Sequence, residues 1–310
     1  MKMQRLLVRG TLAMALAAGS AYPAAAPDAP GIPAQMVVTV VSDGHGQRPA
    51  TLQSGELSVL ENKTSVPVVG FERLAGDSAA MQLFVLLDDS TRSSSLGTQL
   101  RDLKGFLESL PATTQVAVGY MRNGTFALAQ SFTTDHQKAA NSLRLPLAVP
   151  GENGSPYFAL SELVQRWPSH EPTGRRAVLM FTDGVDRYFS QSILDDPYVD
   201  AAFHAAQKRG VLVYSVYLRG AGLYGRGSWT TNIAQSRLME VSDETGGYAY
   251  FQDLTDPVSI SPFLDDLQNR FDNQYQVTIR AQSEKGFQPV KLRTELPGAK
   301  VSGPAHIYVP

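Results

Sequence analysis

Cysteine is absent from the 310 residues. That excludes disulfides, thiolate zinc sites, cysteine nucleophiles and a lipid anchor on cysteine. It leaves the cellular compartment to be read from the N-terminus. An excess of one charge sign is also lacking. The formal net charge is −2 and no long basic run occurs, so nucleic-acid binding by bulk electrostatics is not expected. Beyond the N-terminal segment no apolar run reaches transmembrane length. There is no Gly-x-Ser-x-Gly elbow and no His-Glu-x-x-His, and the glycine-rich stretch 220–227 lacks the Gly-Lys-Ser/Thr ending of a phosphate loop. The five histidines (His45, His136, His170, His204, His306) are scattered, which reads as surface or packing roles. No internal repeat is visible.

What is present begins with an address. Lys2, Arg5 and Arg9 precede the short apolar run Thr11 to Ala18, which is too short to span a bilayer as a stable helix, and small residues follow. This predicts a signal peptide over residues 1–21, cleaved after Ala21, with Gly19 and Ala21 at the small positions. Cleavage after Ala26 would put Pro27 beside the cut. The alternative is an uncleaved anchor. The chain is therefore expected to be exported, periplasmic or secreted, without stable membrane insertion after cleavage. Residues 22–35 are Ala- and Pro-rich and read as an extended linker.

The middle of the chain is organised around Leu83 to Leu87, an apolar run that ends in Asp88 and Asp89 and then a row of hydroxyls from Ser90 to Ser95. The run is short enough for a strand buried on both faces. Ser93, Ser94 and Ser95 are candidate N-caps for a helix carrying Leu96, Leu100, Leu103, Phe106, Leu107 and Leu110, closed by Pro111. The pattern recurs at Ala177 to Thr182, followed by Asp183-Gly184-Val185-Asp186. Between them Ser155-Pro156 opens another helix over residues 157–167. Asn123-Gly124 between two apolar runs predicts a hairpin. Helices are expected over 135–143 (capped by Thr133 or Thr134), 197–209 (stopped by Gly210) and 231–244 (ended by Gly246 and Gly247), with strands over 211–217 and 248–251 and a last helix through Phe271. Alternating strands and helices imply an α/β fold, a doubly wound and mostly parallel sheet with helices on both faces.

Both ends of the chain read as β. Residues 36–75 carry strands at Met36 to Ser42, at Leu57 to Leu60 and at Val66 to Phe71, where Pro67 marks an edge. Past Gln274, alternation returns at Tyr275 to Ile279 and Val290 to Thr294, with a last strand at Ile307 to Val309. Neither half can bury its apolar face alone, so the N- and C-terminal segments are expected to pair as a small β module. The expected organisation is an N-terminal β segment at 36–75, a central domain at 81–255, and a terminal helix with the C-terminal β segment at 256–310.

These residues together resemble a von Willebrand factor A (VWA) domain over roughly residues 81–255. The whole layout is similar to a VWA-related group of secreted proteins in soil bacteria such as acidobacteria. In the VWA family a metal-ion-dependent adhesion site is built from Asp-x-Ser-x-Ser, a Thr from a later loop, and an Asp after the fourth strand. The resemblance implies Asp88 and Ser90 as the first two ligands, Ser155 at the Thr position and Asp183 as the last. Such a hard-oxygen set suits Mg²⁺, or Mn²⁺ or Ca²⁺. It implies a protein ligand that offers a carboxylate to the metal.

One position departs from the family pattern: Arg92 stands where the second Ser belongs, a fixed positive charge beside the expected cation. Three outcomes are open. Ser93 or Ser94 fills the place, the ligands shift to Asp89, Thr91 and Ser93, or Arg92 replaces the metal and pairs with Asp88 or Asp183. Asp89, Asp186 and Arg187 flank the site. Tyr224 and Trp229 are candidate partner anchors. The expected function is non-enzymatic: an adhesion or scaffold module. The alternative is a metal-dependent hydrolase using the same acidic edge. Against it stands the absence of a general base paired with a nucleophile.

Overall fold

The computed structural model describes residues 31–44, 49–97, 99–149, 154–171, 173–189, 195–220, 227–253, 255–282 and 285–310. The expected signal peptide, the linker as far as residue 30, His45 and Tyr224 lie outside the described residues.

The central sheet is built from β5 (Met81–Asp88), β6 (Thr114–Arg122), β7 (Thr125–Thr133), β8 (Arg176–Thr182), β9 (Val211–Tyr217) and β10 (Tyr248–Tyr250). Its spatial order is β10-β9-β8-β5-β6-β7. All neighbours are parallel except β6 and β7, which pair antiparallel. The hairpin follows from Asn123-Gly124: both sit at positive φ, 52° and 70°, as a tight turn between twisted strands requires. Every residue of β5 is buried, because helices cover both faces. On one face lie α1 (Ser93–Gly97), α2 (Gln99–Ser109), α3 (His136–Asn141) and α7 (Ser261–Asp272), packed on Leu83, Val85 and Leu87. On the other lie α4 (Pro156–Gln165), α5 (Pro197–Arg209) and α6 (Ser228–Thr245), packed on Phe84 and Leu86. Alternate residues of one strand thus serve two cores.

The chain ends form two further sheets. One has the order β13-β1-β11-β4, from β13 (Ala299–Ser302), β1 (Ile32–Ser42), β11 (Gln274–Ala281) and β4 (Val68–Arg73). The other has the order β14-β12-β2-β3, from β14 (His306–Val309), β12 (Gly286–Thr294), β2 (Leu57–Glu61) and β3 (Thr64–Val66). Each sheet takes two strands from each end of the chain, and they share a core that includes Val38, Val40, Val59, Val277, Ile279 and Ile307.

Several local expectations are corrected. β1 starts at Ile32, inside the stretch expected to be linker, because Ile32 to Gln35 pair with Thr278 to Ala281 of β11. Strand alternation fails along β1 because Met36, Val38 and Val40 enter the β-module core while Val37 enters the central one. α7 packs through Leu264, Leu267 and Phe271 into the central core rather than with the strands that follow it. The cap of α3 is Asp135, whose carboxylate accepts from the Lys138 N–H at 3.0 Å, not Thr133 or Thr134. Ser93, Ser94 and Ser95 lie within α1 rather than capping it.

Gln274 ties the module to the central domain. It is fully buried. Its amide donates to the Tyr214 hydroxyl at 2.9 Å and to Thr39 Oγ1 at 3.2 Å, and its carbonyl accepts from Arg175 Nη1 at 2.9 Å. Gln274→Leu would orphan a buried phenol and a guanidinium N–H. Urea denaturation is expected to show a loss of about 2–3 kcal/mol, whereas an ordinary surface amide loses almost nothing.

Candidate functional site

In sheet-internal numbering the strand order is the classic doubly wound one, and the chain leaves β5 and β8 in opposite directions. The crevice outside the carboxyl ends of such a strand pair is where open α/β sheets bind ligands. Asp88 ends β5, and Asp183 directly follows β8. Ser155 is the N-cap of α4, with extended backbone (φ −141°) and its hydroxyl accepting from the Phe158 N–H at 3.2 Å. The chemistry-bearing residues therefore arrive at one edge from three segments.

Asp88 is fully buried. Its Oδ1 accepts from the Ser90 N–H at 2.7 Å and the Ser90 hydroxyl at 2.6 Å, while Oδ2 accepts from the Thr182 hydroxyl at 2.6 Å. Burial, and next the negative charge of Asp183, push its carboxyl up to about 6, against the hydrogen bonds that favour the charged form. Asp183 Oδ1 accepts from the Val185 N–H at 2.9 Å, and Oδ2 receives the Arg187 guanidinium at 2.8 Å. Gly220 lies so close to this carboxylate that a Cβ there would overlap Asp183 Oδ2, which is why the loop after β9 carries a glycine at that point.

Ser155 turns its proton to a different carboxylate. Its hydroxyl donates to Asp186 Oδ2 at 2.6 Å, while Asp186 Oδ1 accepts from the N–H groups of Tyr188 and Phe189 at 2.7 and 3.1 Å. Hydrogen bonds thus join Asp88, Ser90 and Thr182 in one group and Ser155 with Asp186 in another, with Asp183 adjoining the first.

Of the outcomes left open, a pairing of Arg92 with Asp88 or Asp183 is not among the hydrogen bonds and ion pairs of the described residues. Arg92 bonds backbone carbonyls: its Nε donates to the Gly220 carbonyl at 3.2 Å and its backbone N–H to the Arg219 carbonyl at 3.1 Å. The cation beside Asp183 is Arg187. A shift of the ligands to Asp89, Thr91 and Ser93 is opposed by their partners. Asp89 is held bidentately by Arg144 at 2.6 and 2.7 Å. The Thr91 hydroxyl donates to the Asp88 carbonyl, and Ser93 Oγ donates to the Pro146 carbonyl at 3.0 Å.

Sequence reasoning missed three participants. Thr182 had a signal, as a hydroxyl at the very end of the second strand. Asp256 binds the Ser95 hydroxyl at 2.7 Å and the Arg219 N–H at 2.7 Å, fixing the loops after β5 and β9 to each other. Arg144, whose guanidinium stacks 3.7 Å over the Tyr120 ring, and Asp256 had no signal, since both act across long stretches of sequence.

The donors suit a hard cation in kind. All are oxygens and two are carboxylates; Asp88 is raised first by burial and next by Asp183, and a dication between the two would remove the second of these. Arg187 supplies one compensating charge in its place. Aromatic surface adjoins the site: Tyr188 and Phe158 are 53% and 46% exposed and meet edge to face at 6.3 Å. Trp229, at the start of α6, is 65% exposed.

The strand order, the single antiparallel edge and the two acidic loops at the switch point define an α/β domain of the VWA/Rossmann-like kind. No protein-family model and no curated protein matches the chain. Among solved structures it is similar to an aerotolerance-related membrane protein from Bacteroides fragilis, with 13% identity and a TM-score of 0.45 over 62% of this chain and 99% of that one. It is similar also to the conserved hypothetical protein BatB from Bacteroides thetaiotaomicron, with 15% identity and a TM-score of 0.45 over 61% of this chain and 97% of that one. A third likeness is to the SpRpn10 VWA domain, with 11% identity and a TM-score of 0.37 over 58% of this chain and 97% of that one. No helix among the described residues is long and apolar enough to cross a membrane.

Proposed function

We propose that the protein is an exported protein-binding module of adhesion or scaffold type, and that its contact face is the carboxyl edge of the central sheet. The observation that carries this reading is the buried Asp88, raised to about 6 beside Asp183 at the switch point. Arg187 gives Asp183 one cation, and a buried carboxyl raised at a crevice of this kind is what a binding site for a further positive group would hold. The exposed rings of Tyr188 and Phe158 beside Ser155 and Asp186 supply the apolar anchors that protein contacts use. Asp88, Ser90, Ser155 and Asp183 are the residues that would hold Mg²⁺, Mn²⁺ or Ca²⁺. When bound, the ion offers a coordination position to a carboxylate of the partner. Export rests on the sequence of residues 1–21, and kinship with secreted VWA-related proteins rests on the layout of the chain.

Isothermal titration of the purified protein with Mg²⁺ and Mn²⁺ tests the metal part, and capture from envelope extracts with and without chelator tests the contact. Asp183→Ala is expected to abolish metal binding. Arg187→Ser frees a carboxylate oxygen and removes a like charge, and is expected to tighten binding about tenfold (about 1.4 kcal/mol). Arg92→Ser should leave it unchanged, because that guanidinium faces Gly220. Absence of heat in the parent and in Arg187→Ser would discard the metal. Capture that neither Asp183→Ala nor Tyr188→Ala weakens would discard the contact face.

A further inference from the structure

A cavity of about 460 Å³ lies at the opposite, amino-terminal edge of the central sheet. It opens between the start of β5, the turn Leu110–Thr114 that leads into β6, and the end of α7, where the β module joins the central domain. Its lining includes the apolar side chains of Met81, Leu110 and Phe271. Two arginines, Arg73 and Arg175, also line it.

Arg175 is 4% exposed, yet among the described residues it has no carboxylate partner. Its bonds all go to neutral oxygens: Nη1 to the Phe271 carbonyl and Gln274 Oε1, both at 2.9 Å, and Nη2 to the Ala79 carbonyl at 2.6 Å. A guanidinium has five N–H donors, and Nε is left without a partner. Burial lowers its pKa to about 10, and Tyr214 and then Asp272 oppose this only as smaller effects. The Asp272 carboxylate is engaged by Gln268 at 2.8 Å, and the buried Gln268 Oε1 is itself without a donor. Arg73, at the exposed rim, reaches only the Asp272 carbonyl at 3.4 Å. A buried cation held by neutral oxygens and by the Phe271 ring, 5.9 Å from its Cζ, is costly without a paired anion.

We propose that this cavity binds a small amphipathic carboxylate, its anionic head between Arg175 and Arg73 and its apolar body along Met81, Leu110 and Phe271. Two guanidiniums suit the planar, bidentate geometry of a carboxylate. The volume suits a ligand of drug-like size, and junctions between modules are a common place for such sites. The site is remote from the carboxyl edge and independent of the function assigned there. Occupancy would brace the seam that Gln274 and Arg175 hold together.

The test uses defined probes with the full protein: octanoate, 1-octanol and inorganic phosphate, read by calorimetry and by chemical-shift changes at Met81 and Phe271. Octanoate is expected to bind at least tenfold more tightly than either control, because it alone carries both head and tail. Arg73→Gln should weaken it about tenfold, and Ala112→Trp, which fills the cavity from its rim and leaves Arg175 untouched, should abolish it. Arg175→Gln serves as a further arm where it folds, and the other two variants decide the matter where it does not. Three results would overturn the proposal: no octanoate binding at 10-fold molar excess over millimolar protein, octanol binding as tightly as octanoate, or octanoate binding unaffected by Ala112→Trp. Phosphate binding as tightly as octanoate would remove the apolar part and refute the ligand class.

Discussion

Arg237→Ala is expected to destabilise the protein by about 3–5 kcal/mol, the cost of breaking a buried ion pair from one side. Arg237 lies in α6 and reaches Asp196 at 3.2 Å; their side chains are 2% and 0% exposed. Asp196 is also the N-cap of α5, accepting from the Tyr198 N–H at 3.0 Å. Burial already pushes its carboxyl up, and Arg237 is among the groups that pull it back. Removing the guanidinium leaves that carboxylate uncompensated and opens a void between two helices. The sign with pH follows. The unfolded aspartate titrates near pH ~3.9 and the folded one above it, so the stability this group adds is present in acid and is lost as the pH rises through its folded value. The defect of Arg237→Ala should therefore shrink on acidification. Urea denaturation across pH 4 to 8 checks this together with the pair Asp196→Asn/Arg237→Met, which is expected to be less destabilised than Arg237→Ala alone. A defect under about 1 kcal/mol and flat with pH would show a solvated, surface-like pair.

The consequence reaches the proposed contact face. The cap that Asp196 provides sets the first turn of α5, and Tyr198 in that turn meets Phe158 at 5.9 Å and Tyr188 at 6.5 Å, both edge to face. The ion pair thus holds the aromatic surface beside the candidate site from below. A variant that keeps the fold but loosens this turn should lose partner capture before it loses metal binding.

Much of the central domain was legible because local signals and global packing agree there. Pro197 and Gly210 bracket α5, with Gly210 in the left-handed region at φ 63°. Asn123-Gly124 could make little other than a hairpin. Apolar runs ending in Asp88 and Asp183 were short enough to be strands buried on both faces, which they are. The β module was legible as strands from the two chain ends in need of each other, but not as two sheets, because alternation reports that a face is buried and not which strand covers it. Ile32 to Gln35 looked like linker because their burial depends on β11, some 240 residues away in sequence. At the site, the residue types were right to look for, but hydrogen-bond choice was not readable. Arg187 follows Asp183 by four residues and Arg92 follows Asp88 by four, yet only Arg187 pairs with its neighbouring carboxylate, while Arg92 bonds the loop after β9. Ser155 has Asp186 as its acceptor for the same reason: a hydroxyl bonds the carboxylate its loop presents.

Asp88→Asn is expected to make the protein more stable at neutral pH while removing its function. The folded carboxyl of Asp88 titrates at about 6, above its ordinary value of 3.8. A raised carboxyl adds stability below the unfolded value and loses it as the pH climbs through the folded one. Between pH 3.8 and about 6 the parent should therefore give up stability on the order of 3 kcal/mol, at 1.36 kcal/mol per unit. Asparagine keeps the shape, and its carbonyl can still accept from Ser90. The Thr182 hydroxyl can rotate to accept from the amide instead of donating. The charge beside Asp183 disappears, at the smaller cost of the acceptor that the Thr182 hydroxyl now uses. Urea midpoints should agree between parent and variant near pH 4 and diverge in favour of Asp88→Asn by pH 7.5. Saturating Mg²⁺ at pH 7.5 should raise the parent's midpoint and leave the variant's unchanged. Equal stability of the two at every pH would mean that Asp88 carries its charge at no cost, and the electrostatic basis of the site would fall with it. A stabilised variant that also fails to capture the partner would show stability given up for a recognition site, which is the trade-off expected where a fold holds a charge it does not need for folding.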